Sequence, residues 1–234
     1  MNLNKNSKIF IAGHKGMVGS SILRHFKKNN YKNIFIKDRR QLDLCKQHFT
    51  ESYLRKIKPH FIIIAAAKVG GIMANQTKKG EFIYENLMIQ SNLIHAAYKV
   101  GVKKLIFLGS SCVYPKYAKQ PIKEKELLSG KLEETNDAYA IAKIAGIKMC
   151  EAYNEQYGVN YICLMPTNMY GPNDNYNLKT SHFYPALISK IFEAKKNNKK
   201  LINLWGNGSA RRELMYVDDL AIACEFFLKK KTKH

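Results

Sequence analysis

The chain has 234 residues, 46% of them hydrophobic, which is enough for one full core and a small second lobe and excludes a disordered chain. Lys plus Arg number 39 against 18 Asp plus Glu, a formal net charge of +21 that favours anionic ligands, but the excess lies in Asn/Lys runs such as "FKKNN" and "KKKTKH" without a nucleic-acid module, so no nucleic-acid partner is expected. No stretch reaches the apolar length of a membrane span, and the basic start leads only into the short run "IFIAG", so a cytoplasmic protein with no membrane association is expected.

The five cysteines, Cys45, Cys112, Cys150, Cys163 and Cys224, show no CxxC or zinc-like spacing. They read as reduced thiols, with no metal site and no disulfide scaffold.

The first predicted strand, "KIFIAG", runs into Gly13-His14-Lys15-Gly16-Met17-Val18-Gly19, and the helical pattern "MVGSSILRHFKK" follows. Glycines permit a tight turn and close backbone approach, while a helix N-terminus directs unpaired N–H groups at a pyrophosphate. Strand, glycine loop and amphipathic helix in that order give the GxxGxxG a dinucleotide-binding context. The second strand, "NIFIKD", ends in Asp38-Arg39-Arg40. A carboxylate there binds a ribose 2′-hydroxyl and an arginine accommodates a 2′-phosphate, so the two signals point opposite ways. The guanidinium forks, with Lys15 nearby in the glycine loop, favour NADP.

A third strand, "FIIIAAA", is followed by the helical pattern "FIYENLMIQSNLIHAAYKV". The fourth, "KLIFL", is continuously apolar, as a strand buried on both faces of a parallel sheet would be, and it ends in Gly109-Ser110-Ser111-Cys112, where such sheets place their ligands. "DAYAIAKIAGIKMCEAYNEQYG" reads as a helix ended by Gly158, with Tyr139 and Lys143 at i and i+4 on one face. A nearby ammonium favours the phenolate, so the lysine is expected to lower the tyrosine pKa from ~10. The fifth strand is "NYICLMP". This alternation predicts an α/β fold, a Rossmann-type doubly wound parallel sheet with helices on both faces.

After residue 165 the character changes: a Pro/Gly/Asn loop, a helix in "SHFYPALISKIFEAKKNN", then strand, turn and helix through "LINLWGNGSARRELMYVDDLAIACEFFLKK". The expected division is a dinucleotide-binding domain with the Ser/Tyr/Lys group over residues 1–165 and a partial, smaller substrate lobe over 166–234.

The glycine loop with Ser110, Tyr139 and Lys143 resembles the extended short-chain dehydrogenase/reductases. The strings "FIAGHKGMVGS", "AAAKVGGI", "LGSSCVYPK", "YAIAKIAGIKMCE", "MPTNMYGPNDN", "SHFYPAL" and "WGNGSARRELMYVDD" resemble, within them, the GDP-L-fucose synthase family, in the same order along essentially the whole chain. The resemblance implies NADPH-dependent 4-reduction of a GDP-4-keto-6-deoxyhexose after epimerisation at C3 and C5. It implies that Ser110 bonds the substrate carbonyl, Tyr139 donates a proton and Lys143 binds the nicotinamide ribose. It assigns Cys112 and His182 as the base and acid of the epimerisations.

For the cofactor it implies contacts from Gly13 to Gly19, from Arg39, Arg40, Gln41, Leu42, Asp43 and Leu44, from Leu108, Gly109, Ser110 and Ser111, from Lys143, from Pro166, Thr167, Asn168 and Met169, and from His182. For the GDP-sugar it implies Lys190, Trp205 and Arg212. Lys15 and Lys190 stand where the family carries arginine, which keeps the charge and loses a bidentate fork. The resemblance further implies a homodimer formed through the helices around "FIYENLMIQSNLIHAAYKV" and "AYAIAKIAGIKMCEAYNEQYG", and more chain after "YVDD" and its helix to finish the substrate lobe. A related nucleotide-sugar epimerase or reductase, and an NADP-binding chain inactive on its own, are the competing expectations.

Overall fold

Five apolar runs become the strands of one parallel sheet in the computed structural model, which describes residues 2–178, 180–204 and 206–230. They are Lys8–Ala12 (β1), Asn33–Phe35 (β2), Phe61–Ile64 (β3), Lys104–Leu108 (β4) and Tyr161–Leu164 (β5), in the order β2-β1-β3-β4-β5. Each of the five coincides with a run expected from the sequence. The central strands β3 and β4 are buried along their whole length, which is why their sequences show no polar alternation.

The pleat sends alternate side chains into two cores. Phe10, Ile62, Ile64, Leu105 and Phe107 pack against Gln47–Ile57 (α2), Lys79–Lys99 (α4) and Asp137–Tyr157 (α5). Ile9, Ile11, Phe61, Ile63 and Ile106 pack against Met17–Lys28 (α1) and Val217–Lys229 (α7). Helices therefore cover both faces. The helix α7 lies far along the chain yet packs beside α1, where the Ser21 hydroxyl donates to Asp218 at 2.5 Å and the Tyr31 hydroxyl donates to Glu225 at 2.6 Å.

The helix α5 ends as expected, with Gly158 in the left-handed conformation at φ +62°. It meets α4 closely at Gly146: a Cβ there would lie 2.5 Å from Phe107 Cζ and 2.9 Å from Gln90 Cδ. Gly146→Ala gains up to about 1 kcal/mol of helix propensity, whereas overpacking a filled core costs about 1–3 kcal/mol. The clash wins, and thermal denaturation of G146A should show a midpoint about 2–4 °C lower.

The remaining elements form a second, smaller layer. Asn168–Tyr170 (β6) and Leu214–Tyr216 (β7) pair in parallel, and Phe183–Lys196 (α6) lies between them in sequence. The strand expected at the start of the stretch, from Leu201, does not form: Leu201–Leu204 is irregular, Leu201 is 86% exposed, and the strand lies instead at Leu214–Tyr216. Two further helices, α2 and the short Ile72–Thr77 (α3), were not foreseen. Among the described residues no helix is long and apolar enough to cross a membrane.

Candidate active site

The strand order reverses at β1 and β3, and the loops that leave these two strands touch. Gly13 has φ +89°, and a Cβ on it would sit 2.6 Å from the Ala66 backbone nitrogen. A Cβ on Gly19 would lie 2.1 Å from the Gly13 carbonyl oxygen. Only glycine fits at either position. Gly16, the N-cap of α1, offers no side chain to the helix, and the first turn carries no acidic residue. Its N–H groups are thus directed at the crevice without a built-in anion, the environment a dinucleotide pyrophosphate requires. In the same loop His14 Nδ1 is buried without a partner, and burial followed by the Lys15 charge lowers the His14 pKa.

At the end of β2 the expected phosphate ligands are already engaged. Lys15 Nζ lies 2.8 Å from Asp38 Oδ2, and an Arg39 guanidinium N–H donates to Glu85 Oε2 at 2.8 Å. Arg40 and Gln41 are exposed beside them. Leu42 is buried, Leu44 packs on the core, and Asp43 accepts from the Cys45 N–H, so these three hold the turn in shape.

At the end of β4, Leu108, Gly109, Ser110 and Ser111 lead into a single 3₁₀ turn, Ser111–Val113. Ser110 is extended and caps it, its Oγ accepting from the Cys112 N–H at 3.4 Å. The turn aims Cys112 back toward α5. There Lys143 is 3% exposed, donates to the Leu108 carbonyl at 2.7 Å, and stands 4.6 Å from the Phe107 ring centroid and 5.8 Å from that of Tyr139.

Burial pushes Lys143 down to about 8, opposed by the Cys112 and Cys163 thiols. Burial raises the Cys112 thiol, while a hydrogen bond from Ser110 and the Lys143 charge work the other way. Tyr139 is raised by burial first and by Cys112 second. In the free protein burial thus outweighs any lowering of the Tyr139 pKa by Lys143, whose ammonium is committed to the Leu108 carbonyl. Ser110, Cys112, Tyr139 and Lys143 form one electrostatic cluster.

His182 is the N-cap of α6. Much of its surface is accessible, yet the protein around its ring lowers its pKa, against an opposing pull from the Asp174 carboxylate. Its segment is fixed to the loop after β3: the Gly71 N–H donates to the Thr180 carbonyl at 2.9 Å, and a Cβ on Gly71 would come 2.3 Å from the Ser181 carbonyl oxygen.

Pro166 to Met169 leave β5 and enter β6, with Thr167 Oγ1 and Asn168 Nδ2 both donating to the Glu213 carbonyl at 3.1 and 3.2 Å. Among the expected substrate ligands, Lys190 Nζ donates to the Asn203 carbonyl at 2.9 Å, and Arg212 is exposed and donates to its neighbour's carbonyl at 2.7 Å. Trp205 lies outside the described residues.

Several residues in the site went unnoticed in the sequence. Asn86 grips the backbone of Lys68 from both sides, accepting from its N–H at 2.9 Å and donating to its carbonyl at 3.0 Å, and so fixes the loop that touches Gly13. Gln90, one turn on, donates to the Ala142 carbonyl. The available signal was a pair of uncharged polar side chains, i and i+4, in line with Phe82, Leu93 and Ala97 on the apolar stripe of the helical pattern.

The model of the NAD dependent epimerase/dehydratase family matches residues 9–234. A GDP-L-fucose synthase from Sinorhizobium fredii is 51% identical over 236 aligned residues, covering all of this chain and 75% of that protein. Among solved structures, a GDP-6-OMe-4-keto-L-xylo-heptose reductase from C. jejuni superposes with a TM-score of 0.91 at 36% identity, over 97% of this chain and 74% of that one. A GDP-L-fucose synthetase from Naegleria fowleri bound to NADP gives a TM-score of 0.88 at 28% identity, over 98% of this chain and 75% of the other. A match of this extent shows that the chain belongs to the NAD-dependent epimerase/dehydratase family and, within it, to the GDP-L-fucose synthases.

Proposed function

We propose that the chain converts GDP-4-keto-6-deoxy-D-mannose to GDP-L-fucose by epimerisation at C3 and C5 followed by NADPH-dependent reduction at C4. The observation that carries this reading is the placement of Cys112 in the turn that Ser110 caps, directly after the strand end whose Leu108 carbonyl holds Lys143. A simple ketone reductase uses the serine, tyrosine and lysine; a base beside the carbonyl is needed only when a C–H bond next to it must break.

In this reading the Ser110 and Tyr139 hydroxyls hold the C4 ketone oxygen and stabilise the enolate formed when a neighbouring proton leaves. Cys112, as thiolate, removes the proton, and His182 returns one from the opposite face. Tyr139, its pKa raised, stays protonated at neutral pH and is a proton donor to O4 at the end of the reaction. NADPH supplies the hydride. Gly13 to Gly19 cradle its pyrophosphate, Arg39, Arg40 and Lys15 take the 2′-phosphate, and Lys143 reaches the nicotinamide ribose. Lys190, Trp205 and Arg212 take the GDP-sugar.

The homodimer is part of the proposal. It is supported by apolar side chains left exposed on the two long helices, Tyr84 on α4 at 61% and Ile141 on α5 at 48%. A cytoplasmic location fits five cysteines that are all unpaired.

A second reading is a GDP-sugar 4-reductase acting on another sugar, which the likeness to the heptose reductase favours. The two separate in one assay: purified protein with GDP-4-keto-6-deoxy-D-mannose and NADPH, products resolved by mass and sugar stereochemistry. GDP-L-fucose is the expected product. Absence of turnover on this sugar, with turnover on a ketoheptose, would replace the first reading by the second.

A further inference from the structure

The end of β2 holds two ion pairs arranged alike. Lys15 and Arg39, the cations of the two pairs, are outermost, with side chains 71% and 68% exposed. Their carboxylate partners lie beneath them, Asp38 at 23% and Glu85 at 15%. Glu85 is further shared: its other oxygen is 2.6 Å from Lys68 Nζ, which also contacts Glu81 at 2.5 Å. Each carboxylate is held below its ordinary pKa, Asp38 by the Lys15 hydrogen bond above all, and Glu85 by Lys68 and Arg39 against its own desolvation. Both are therefore anions at neutral pH.

A 2′-phosphate brings close to two negative charges to this spot and needs the donors that Asp38 and Glu85 already occupy. A ribose 2′-hydroxyl needs an acceptor, which Asp38 supplies as it stands. Beside Asp38, whose carboxylate the general rule for this position already sets against a 2′-phosphate, we propose that Glu85 is a further specificity-determining residue that restrains the preference for NADPH over NADH by competing for Arg39. The inference rests on the NADP reading above and adds a residue that opposes it. Exposed ion pairs are individually weak, so giving up the two cations is affordable; the larger effect comes from the carboxylate charges that stay behind beside the phosphate.

The test measures binding, by fluorescence titration of NADPH and NADH and by calorimetry of 2′,5′-ADP and ADP, in the wild-type chain, Asp38→Asn, Glu85→Gln and the control Glu81→Gln. Glu81 is half exposed and touches Lys68 but not Arg39, so E81Q should change neither affinity by more than about twofold. D38N should bind NADPH and 2′,5′-ADP about five- to tenfold tighter and NADH several-fold weaker; E85Q should tighten NADPH about threefold and leave NADH unchanged. The salt dependence of NADPH binding should steepen in both variants as free cations replace ion pairs. Unchanged or weakened NADPH binding in folded E85Q overturns the inference alone. A wild-type chain that binds neither NADPH nor 2′,5′-ADP overturns the cofactor reading and the inference with it.

Discussion

Cys112→Ser should abolish epimerisation while leaving reduction. In deuterium oxide, exchange of the C3 and C5 hydrogens of the ketosugar is expected to fall by a factor of about 10²–10⁴, the usual contribution of a positioned general base. A thiol near pKa ~8.5 yields some thiolate at neutral pH, and a hydroxyl yields essentially none. Burial raises the Cys112 pKa here, while Ser110 and Lys143 counteract it, so the thiolate fraction rises with pH and exchange by the wild-type chain should rise with it. Ser110, Tyr139 and Lys143 are untouched by the substitution, so NADPH consumption should continue within about tenfold, giving a 6-deoxyhexose that keeps the D-manno configuration at C3 and C5. Proportional loss of exchange and reduction would show that Cys112 shapes the site without acting as the base.

Lys143→Met should destroy reduction and stabilise the fold at once. Lys143 falls to about 8 when folded, against ~10.4 in an unfolded chain, so between those values the unfolded state binds more protons. Stability from this group therefore rises with pH across that window, and the penalty of burying the ammonium is fully present below pH ~8. At one pKa unit per 1.36 kcal/mol the penalty is about 3 kcal/mol, while the lost hydrogen bond to the Leu108 carbonyl returns about 1–2 kcal/mol of it. K143M should thus melt about 2–6 °C higher at pH 6.5, with the advantage gone by pH ~10.5. Reduction should drop by at least about 10² because the ribose ligand is gone. An unchanged or lower melting midpoint at pH 6.5 would mean that the buried charge is better compensated than its surroundings indicate.

These two residues also show what the sequence can and cannot convey. The strands were legible because "FIII" and "KLIFL" are buried on both faces and bounded by Gly, Lys and Pro, and α5 because Gly158 terminates it in the left-handed region. Tyr139 and Lys143 were legible as neighbours because i, i+4 spacing is a local property. The direction of the Tyr139 pKa was not, since it depends on how much protein surrounds the ring and on the Leu108 carbonyl that captures Lys143, a contact 35 positions away. Glu85 was hidden for the same reason: nothing local ties it to Arg39, 46 residues earlier. The misplaced strand at Leu201 follows from reading an apolar run without knowing whether β6 lies alongside; its partner is Leu214–Tyr216.

The most direct measurement is a single reaction of the purified chain with NADPH and GDP-4-keto-6-deoxy-D-mannose in deuterium oxide, with deuterium located in the product by NMR. GDP-L-fucose carrying deuterium at C3 and C5 and protium at C4 is expected, because the first two hydrogens pass through exchangeable groups and the third comes from the cofactor. A reduced product with protium at C3 and C5 would leave Cys112 and His182 without the roles given them here and would make the chain a reductase only.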